Sequence, residues 1–575
     1  MSSTMEFMKG MDISHVPEML DQGAVFRDKY GNEREVFELL KENGVNSIRL
    51  RIWNEPENVP ESGGYCNLEH TVTMAKKVKE HGMSFFLDFH YSDYWADPSK
   101  QNKPKAWEGL GFEELKQAVY DYTRDVLLRL KQEGAMPELV QIGNEIRSGM
   151  IFPDGEVPHY DRLVELVNAG IRATRDVCGN TTKVVIHLDQ GGRFFYLRDW
   201  FDAVIGAGLD DFDYIGVSYY AFWHGTPYEF KESLVNLVKR YNKPVIVAET
   251  AHAWRRTEKG FIDEQQEKVA GFLATPEAQR IVLDLVMNIT ASLEDNMGIG
   301  IYYWEPVVLP LEGASSWAQN MGVFDEMGCA LPALESFLFD RSKIDKDKVV
   351  KIYEPDKIIQ EKGSEIKLPK KLKTLFNDGS CPQLEVVWED FNNNRTGSFI
   401  IKGLIPQINK VVQIELQLVN ELKEDYNFIP NACFEDGLEG WYVVCDDDRT
   451  IVELHPEYAI PWPAPPINNL YIESPLNFKF DIYKEIEDLT PGTYKFQVDY
   501  RGTNTTGVNV KMFAQGDLTT CNERMIYPMD SDWTTYEISD IKIKKGTVKL
   551  GVSIVSPPVY GKMRYFSLTK QETTP

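Results

Sequence analysis

Two glutamates stand out by what surrounds them. Glu145 closes the run ELVQIGNE (138–145), directly after Asn144, and Glu249 closes the apolar part of PVIVAET (244–250). One protonated and one ionised carboxyl facing the same cavity can break a glycosidic bond. The acid protonates the leaving oxygen and the carboxylate meets the oxocarbenium-like transition state. When the anomeric configuration is retained, the two groups lie about 5–5.5 Å apart, so they must project from facing walls. Asn144 is placed to hydrogen-bond the sugar 2-OH, and Arg49 with nearby tyrosines would keep Glu249 ionised. A second carboxylate close by would raise the pKa of Glu145, as a proton donor requires.

Taken singly, these residues have plainer readings. A glutamate at a strand end is more often structural or solvated, a lone His90 or His187 is more often a satisfied core histidine, and Trp95 or Trp304 alone is more often packing. The pairing of Glu145 and Glu249, with Asn before one of them, is what lifts the assignment above chance. Other chemistries lack their signatures: there is no GxSxG elbow and no HExxH. His90, Asp88 and Asp93 resemble half of a metal cluster without a second half, so no metal is expected.

Eight short runs must position these residues: GMDIS (10–14), SIRLRIW (47–53), MSFFLDFHY (83–91), ELVQIGNE, KVVIHLD (183–189), YIGVSYY (214–220), PVIVAET and IGIYYWEP (299–306). Each is β-branched or aromatic and nearly continuous in its apolar part, the mark of a strand buried on both faces. Amphipathic segments lie between them, among them YDYTRDVLLRLKQEG, with Gly134 as its cap. Strands alternating with helices predict an α/β fold, a (β/α)8 TIM barrel, over residues 1–345. The alternative is an open doubly wound sheet, but GMDISHVPEML is not the glycine-rich phosphate loop such a sheet usually shows after its first strand. In a barrel, polar residues at strand ends line the C-terminal mouth, where active sites sit. Strands four and seven lie across that mouth, so their glutamates can flank one bond.

From residue 346 the pattern becomes strands and turns. An immunoglobulin-like β-sandwich spacer is expected over 346–425 and a larger β-sandwich over 426–575, with alternating strands such as GTYKFQVDYRG and GTVKLGVSIV.

The formal net charge of −26 over 575 residues disfavours nucleic acid and anionic membrane as partners, whereas 12% aromatic content suits a neutral polysaccharide. The seven cysteines show no CxxC spacing and read as free thiols. No apolar run is long enough to cross a membrane, and MSSTMEFMKGMDISH lacks the apolar core of a signal peptide. The expectation is action inside the cell as given, or outside it after removal of a leader.

At these residues the chain resembles glycoside hydrolase family 53, the arabinogalactan endo-β-1,4-galactanases. The resemblance rests on GNEIRSGMIFPDG (143–155), GVNSIRLRIWNEP (44–56), LDFHYSDYWADPSKQNKPKAW (87–107), HLDQGG (187–192), VAETAHAW (247–254), YYWEP (302–306) and SSWAQNMGVFDEMGCALPAL (315–334), in order over residues 8–340. It implies retaining endo-hydrolysis of β-1,4-galactan, a pectin side chain, with Glu145 as acid/base and Glu249 as nucleophile. It also places Arg49, His90, Trp95, Asp97, Asn144, Asp189, Tyr219 and Trp304 around the cleft. A monomer acting on galactan or galacto-oligosaccharides is expected, with no cofactor required. Bacterial members of the family can hold calcium between the loops after strands seven and eight. The acidic motif associated with that site is absent from AWRRTEKGFIDEQQE, so calcium is not indicated here.

The last segment, opening with NFIPNACFEDGLEGW (427–441), resembles a galactose-binding-like carbohydrate-binding module of family 61 type. Tyr458, Trp462 and Trp533 are its candidate sugar platforms, and Trp441 is expected in its core. Two competing functions remain: an endo-β-1,4-glycanase on mannan, xylan or cellulose, and a carbohydrate-binding protein without catalysis. The motifs outside the catalytic pair argue against the first, and retention of both glutamates and Asn144 argues against the second.

Overall fold

The computed structural model describes residues 6–571, except 210, 258–261, 312–317, 356, 423–425, 435–436, 447–449, 459–465, 475–476, 504–506, 517–520, 530–531, 545 and 558. Eight parallel strands close a barrel: β1 (Met8–Asp12), β2 (Ser47–Ile52), β3 (Ser84–Phe89), β4 (Leu139–Ile142), β5 (Lys183–Leu188), β6 (Tyr214–Ser218), β7 (Val245–Thr250) and β8 (Gly298–Trp304). Each strand pairs with the next in sequence and β8 closes on β1. Each predicted run overlaps one strand; Arg49, Arg51, Asp88, His187 and Glu249 lie within their strands, and Asn144, Glu145 and Asp189 follow theirs.

The interior is a packed plug. Phe86, Leu139, Val185, Ile246 and Tyr302 belong to one buried cluster inside the ring. A Cβ on Gly10 would meet the Tyr302 ring at 2.2 Å, so β1 has no side chain there and the tyrosine fills the space. Helices bridge successive strands, among them α1 (Val36–Glu42), α2 (Leu68–Glu80), α3 (Phe112–Gln132), α4 (Tyr160–Cys178), α5 (Phe194–Gly206), α6 (Pro227–Tyr241) and α7 (Pro276–Ala291). Helix α3 buries Leu115, Val119, Val126, Leu127 and Leu130, and Gly134 follows it at φ +70°, the left-handed stop its sequence predicts. Helix α6 starts on a Thr226–Glu229 capping box with Pro227 in its first turn. After β8 the corresponding place is taken by a 3-10 segment, Pro332–Leu338, packed on α7.

The chain divides into two compact units, residues 1–353 with 371–384, and 354–370 with 385–575. The expected spacer, 346–425, contributes residues to both units. Segment 371–384 belongs with the barrel because Leu375 joins the barrel's hydrophobic core, Lys231 pairs with Asp378 at 2.7 Å, and Asn288 donates to Asn377 at 3.2 Å. In the second unit, a four-stranded sheet pairs Ile358–Glu361, Lys410–Val419, Gly397–Ile405 and Val387–Trp388. Two five-stranded antiparallel sheets share one core that includes Phe480, Ile482 and Val552 from one, and Tyr494, Phe496 and Phe566 from the other. Gly492–Gly502 is a single strand, as its alternation predicts.

Candidate active site

Arg49 on β2 is the hub of the barrel mouth. Its guanidinium is buried and reaches Asp12 at 2.8 Å, Asp88 at 2.9 Å and Glu249 at 3.0 Å. It also donates to Gln141 at 3.1 Å and to Asn144 Oδ1 at 3.0 Å. Burial alone would lower its pKa, but Asp88, Glu249 and Asp12 together hold the cation in place.

Glu249 reaches the mouth through an irregularity in β7. Ile246 and Ala248 point into the barrel plug, so strict alternation would turn Glu249 outward. The pairing slips on both neighbours: Val217 faces Val247 and Ser218 faces Glu249, while Ile301 faces Val247 and Tyr303 faces Thr250. That bulge re-aims the carboxylate. Its two oxygens are held separately, one by Arg49 and the other by the Tyr220 hydroxyl at 3.0 Å. Burial pushes Glu249 up to about 7 against the pull of Arg49 and Tyr220.

Glu145 follows β4 at φ +49°, a left-handed turn that lifts it above the strand end. Among the described residues no ion pair holds it; Ser218 Oγ lies 2.6 Å from Oε1. Burial first, then the charges of Glu249 and Asp189, keep Glu145 well above the usual carboxylate range. The proton of the pair therefore resides on Glu145, and Glu249 is the member that ionises. Behind Ser218, His187 Nε2 lies at 2.9 Å, and His187 Nδ1 lies 3.0 Å from Asn144 Oδ1. Burial and the neighbouring Arg49 hold the His187 imidazole neutral, with its pKa well below the ordinary value.

The other predicted residues divide. Asn144 donates one amide proton to Ala96 O at 2.9 Å, and its second has no acceptor among the described residues. His90 Nδ1 accepts from Ala96 N–H at 3.0 Å and Trp53 at 3.3 Å, so its proton sits on Nε2, facing Asp88 at 3.0 Å. It is thus buried beneath the site, orienting Asp88. Trp95 and Trp304 form an aromatic corner with ring centroids 6.1 Å apart, and Tyr220 lies 6.3 Å from Trp304. Asp97 sits in a turn and accepts from Ser99 N–H at 2.7 Å and Ser99 Oγ–H at 2.6 Å, yet its charge still raises Glu145. Asp189 is clasped by Arg147 through two bonds, of 2.7 and 3.1 Å.

Tyr219 is a correction. It is fully buried, stacks on Phe230 of α6 with ring centroids 3.9 Å apart, and donates to Gly225 O at 2.9 Å. The physical reason is strand parity. Tyr214 points into the barrel plug, so Gly216, Ser218 and Tyr220 share the inner face and Tyr219 faces the helices. Tyr220 is one of the tyrosines expected to favour the Glu249 anion; Ser218 carried no expectation. Arg51 lies 4.1 Å over the Trp95 ring and is fixed by Glu305 at 2.8 Å. Burial would raise Glu305, but His15 and Arg51 outweigh it and hold Glu305 below its ordinary value.

In the second unit Trp441 is in the core, as expected, donating to Asn431 O at 2.9 Å. Trp533 is half-buried beneath two guanidiniums, Arg564 at 4.0 Å and Arg501 at 5.0 Å. Tyr458 ends the strand Ile451–Tyr458, and Trp462 lies outside the described residues.

The loops after β7 and β8 do not fit a calcium ion in their described residues. The carbonyls of His252, Met321 and Gly322, which could ligate a cation, lie 3.0, 3.2 and 2.9 Å from Gln279 Nε2, whose two protons they share. Among the described residues no cluster of three His, Cys, Asp or Glu could hold a metal.

Comparison with known proteins agrees with this geometry. A Niallia circulans protein from the bgaB 5′ region is 40% identical over 348 residues, 57% of this chain and 93% of that protein. The arabinogalactan endo-β-1,4-galactanase A of Emericella nidulans is 37% identical over 322 residues, 55% of this chain and 86% of that enzyme. Among solved structures, the Ignisphaera aggregans GH53 catalytic domain superposes with a TM-score of 0.55 at 37% identity, over 58% of this chain and 96% of that one. The model of glycosyl hydrolase family 53 matches residues 8–337, and the chain belongs to that family.

Proposed function

We propose that this protein is a retaining endo-β-1,4-galactanase, with Glu145 as acid/base and Glu249 as nucleophile. The observation that carries the proposal is the division of labour between the two carboxyls. Glu249 is gripped by a guanidinium and a phenol that favour its anion, while Glu145 has only a hydroxyl beside it and keeps the proton. In the first step Glu145 protonates the glycosidic oxygen as Glu249 attacks C1, giving a glycosyl ester. In the second, Glu145, now ionised, takes a proton from water, which displaces Glu249. The free amide proton of Asn144 is available to the sugar 2-OH, a contact that strengthens in the transition state. Trp95 and Trp304 offer apolar faces to the sugar rings. The substrate follows from the relatives: the Emericella nidulans enzyme is named an arabinogalactan endo-β-1,4-galactanase.

The test is reducing-sugar release from linear β-1,4-galactan beside mannan, xylan and carboxymethylcellulose, with the anomer of the first product read by proton NMR. Release from galactan alone, with the β-anomer formed first, supports the proposal. Initial α-product overturns retention, and activity on another glycan overturns the substrate. The Glu249→Ala variant with azide should give the α-galactosyl azide, which identifies the nucleophile. Removing residues 426–575 should weaken binding to the polymer and leave turnover of galactotetraose intact.

A further inference from the structure

The acid/base has a second wall that the hydrolytic mechanism leaves unused. After Glu145 the chain makes a 3-10 turn, Ile146–Ser148, which buries Ile146 and leaves Arg147 partly exposed. Arg147 meets Asp189 at the end of β5 through Nε at 2.7 Å and Nη2 at 3.1 Å. This two-point clasp fixes the plane of the guanidinium and leaves both Nη1 protons without an acceptor among the described residues. Arg147 lies over the Tyr196 ring, 5.4 Å from its centroid, and Tyr196 is 37% exposed. The charge of Glu145 raises Arg147, and Asp189 is one of the groups that raise Glu145.

The side of the cleft follows from the chemistry. Glu145 gives its proton to the oxygen that leaves, so the leaving sugar lies against the wall beside Glu145. Glu249, Arg49, Trp95 and Trp304 surround the sugar that is attacked. We propose that Arg147, clasped by Asp189 and flanked by Tyr196, forms the acceptor subsite. Its Nη1 protons bind hydroxyls of the leaving galactosyl residue, and of the sugar acceptor when the glycosyl ester is transferred instead of hydrolysed. In that transfer the acceptor's 4-OH gives its proton to Glu145 while its oxygen displaces the Glu249 carboxylate from C1, so the new glycosidic bond replaces the ester. The inference rests on the glycosidase reading above.

The experiment compares Arg147→Met with the wild-type full chain on two substrates, galactotetraose and 4-nitrophenyl β-galactobioside. The first places a sugar beside Arg147; the second places only an activated phenol there. Wild-type turnover of both is the control for the glycosidase reading, and failure there sinks that reading and not this one. Loss of two charge-assisted hydrogen bonds should lower kcat/KM for galactotetraose about 10- to 100-fold. On the aryl substrate, at each protein's own pH optimum, kcat/KM should hold, and transfer products with added galactobiose should fall with the tetraose rate. Arg147→Lys, which keeps a donor, should fall between. Equal losses on both substrates would show that Arg147 acts through Glu145, and no loss on either would show that it binds nothing; both outcomes overturn the subsite.

Discussion

Ser218 Oγ lies 2.9 Å from His187 Nε2, and which of them donates is fixed on the far side of the imidazole. Asn144 Oδ1 already accepts from Arg49, so it is the oxygen of that amide, and His187 Nδ1 must carry the proton that points to it. With the ring neutral, Nε2 can only accept. When Glu145 is protonated, it donates to Ser218, which donates to His187. When Glu145 is ionised, the serine hydroxyl turns and donates to the carboxylate. Ser218 is therefore a positioning residue that follows the charge of the acid/base.

Its removal has a signed consequence. The hydrogen bond from Ser218 lowers Glu145 against burial. In Ser218→Ala the carboxyl loses that donor and its pKa rises further, so the alkaline limb of the kcat/KM–pH profile moves to higher pH. A loss of activity with an unmoved limb would assign Ser218 to structure alone.

The acid limb belongs to Glu249. The first proton to leave the pair comes from the carboxyl that Arg49 and Tyr220 favour as an anion, and burial puts that step at about 7. Activity should fall below neutral pH. In Tyr220→Phe the carboxylate loses a donor, so the acid limb should move upward and kcat/KM fall about 10- to 100-fold. Tyr219→Phe removes only the bond to Gly225 O. It should leave kcat/KM unchanged and cost about 1 kcal/mol of stability, measured by denaturant unfolding.

That contrast shows where sequence reasoning ends. Eight apolar runs sufficed to place β1–β8 because a strand buried on both faces has no other way to look. The same runs placed Glu145 and Glu249, since a mouth residue must follow the apolar part of its strand. Tyr219 and Tyr220 are adjacent, and only counting inward positions back to Tyr214 tells them apart. That parity was available in the sequence. The bulge in β7 was not, because the slip that turns Glu249 inward depends on its pairing with β6 and β8.

Burial of Glu145 also makes stability depend on pH. The native state holds its proton well above the ordinary value of 4.5 at which an unfolded chain releases it. Between those two values the native state binds more protons than the unfolded one, so stability falls as pH rises through the window and is fullest below it. The slope from this one group is at most about 1.4 kcal/mol per pH unit. Glu145→Gln carries no such penalty and can still accept from Ser218. Its Tm should match wild type near pH 4 and exceed it increasingly towards pH 7 and above. A constant Tm difference across that range would mean that Glu145 titrates like an exposed carboxyl.

The loops after β7 and β8 lead to a prediction about metal. Gln279 on α7 presents one amide nitrogen to the carbonyls of His252, Met321 and Gly322 and to the Tyr303 hydroxyl at 3.0 Å. Tyr303 in turn donates to Met321 O at 2.6 Å or His252 O at 3.0 Å. A calcium ion could join two loops by drawing carbonyl oxygens to one point; here a side-chain amide draws them. Excess chelator should therefore leave Tm unchanged, and added calcium should not raise it. Gln279→Ala removes two N–H donors from this group of buried oxygens, and unfolding should become easier by about 2–3 kcal/mol. Because His252 lies three residues after Glu249 and Tyr303 immediately before Trp304, the same variant should lose activity before it loses its fold. A chelator-dependent fall in Tm would instead place a cation between these loops and reduce Gln279 to a bystander.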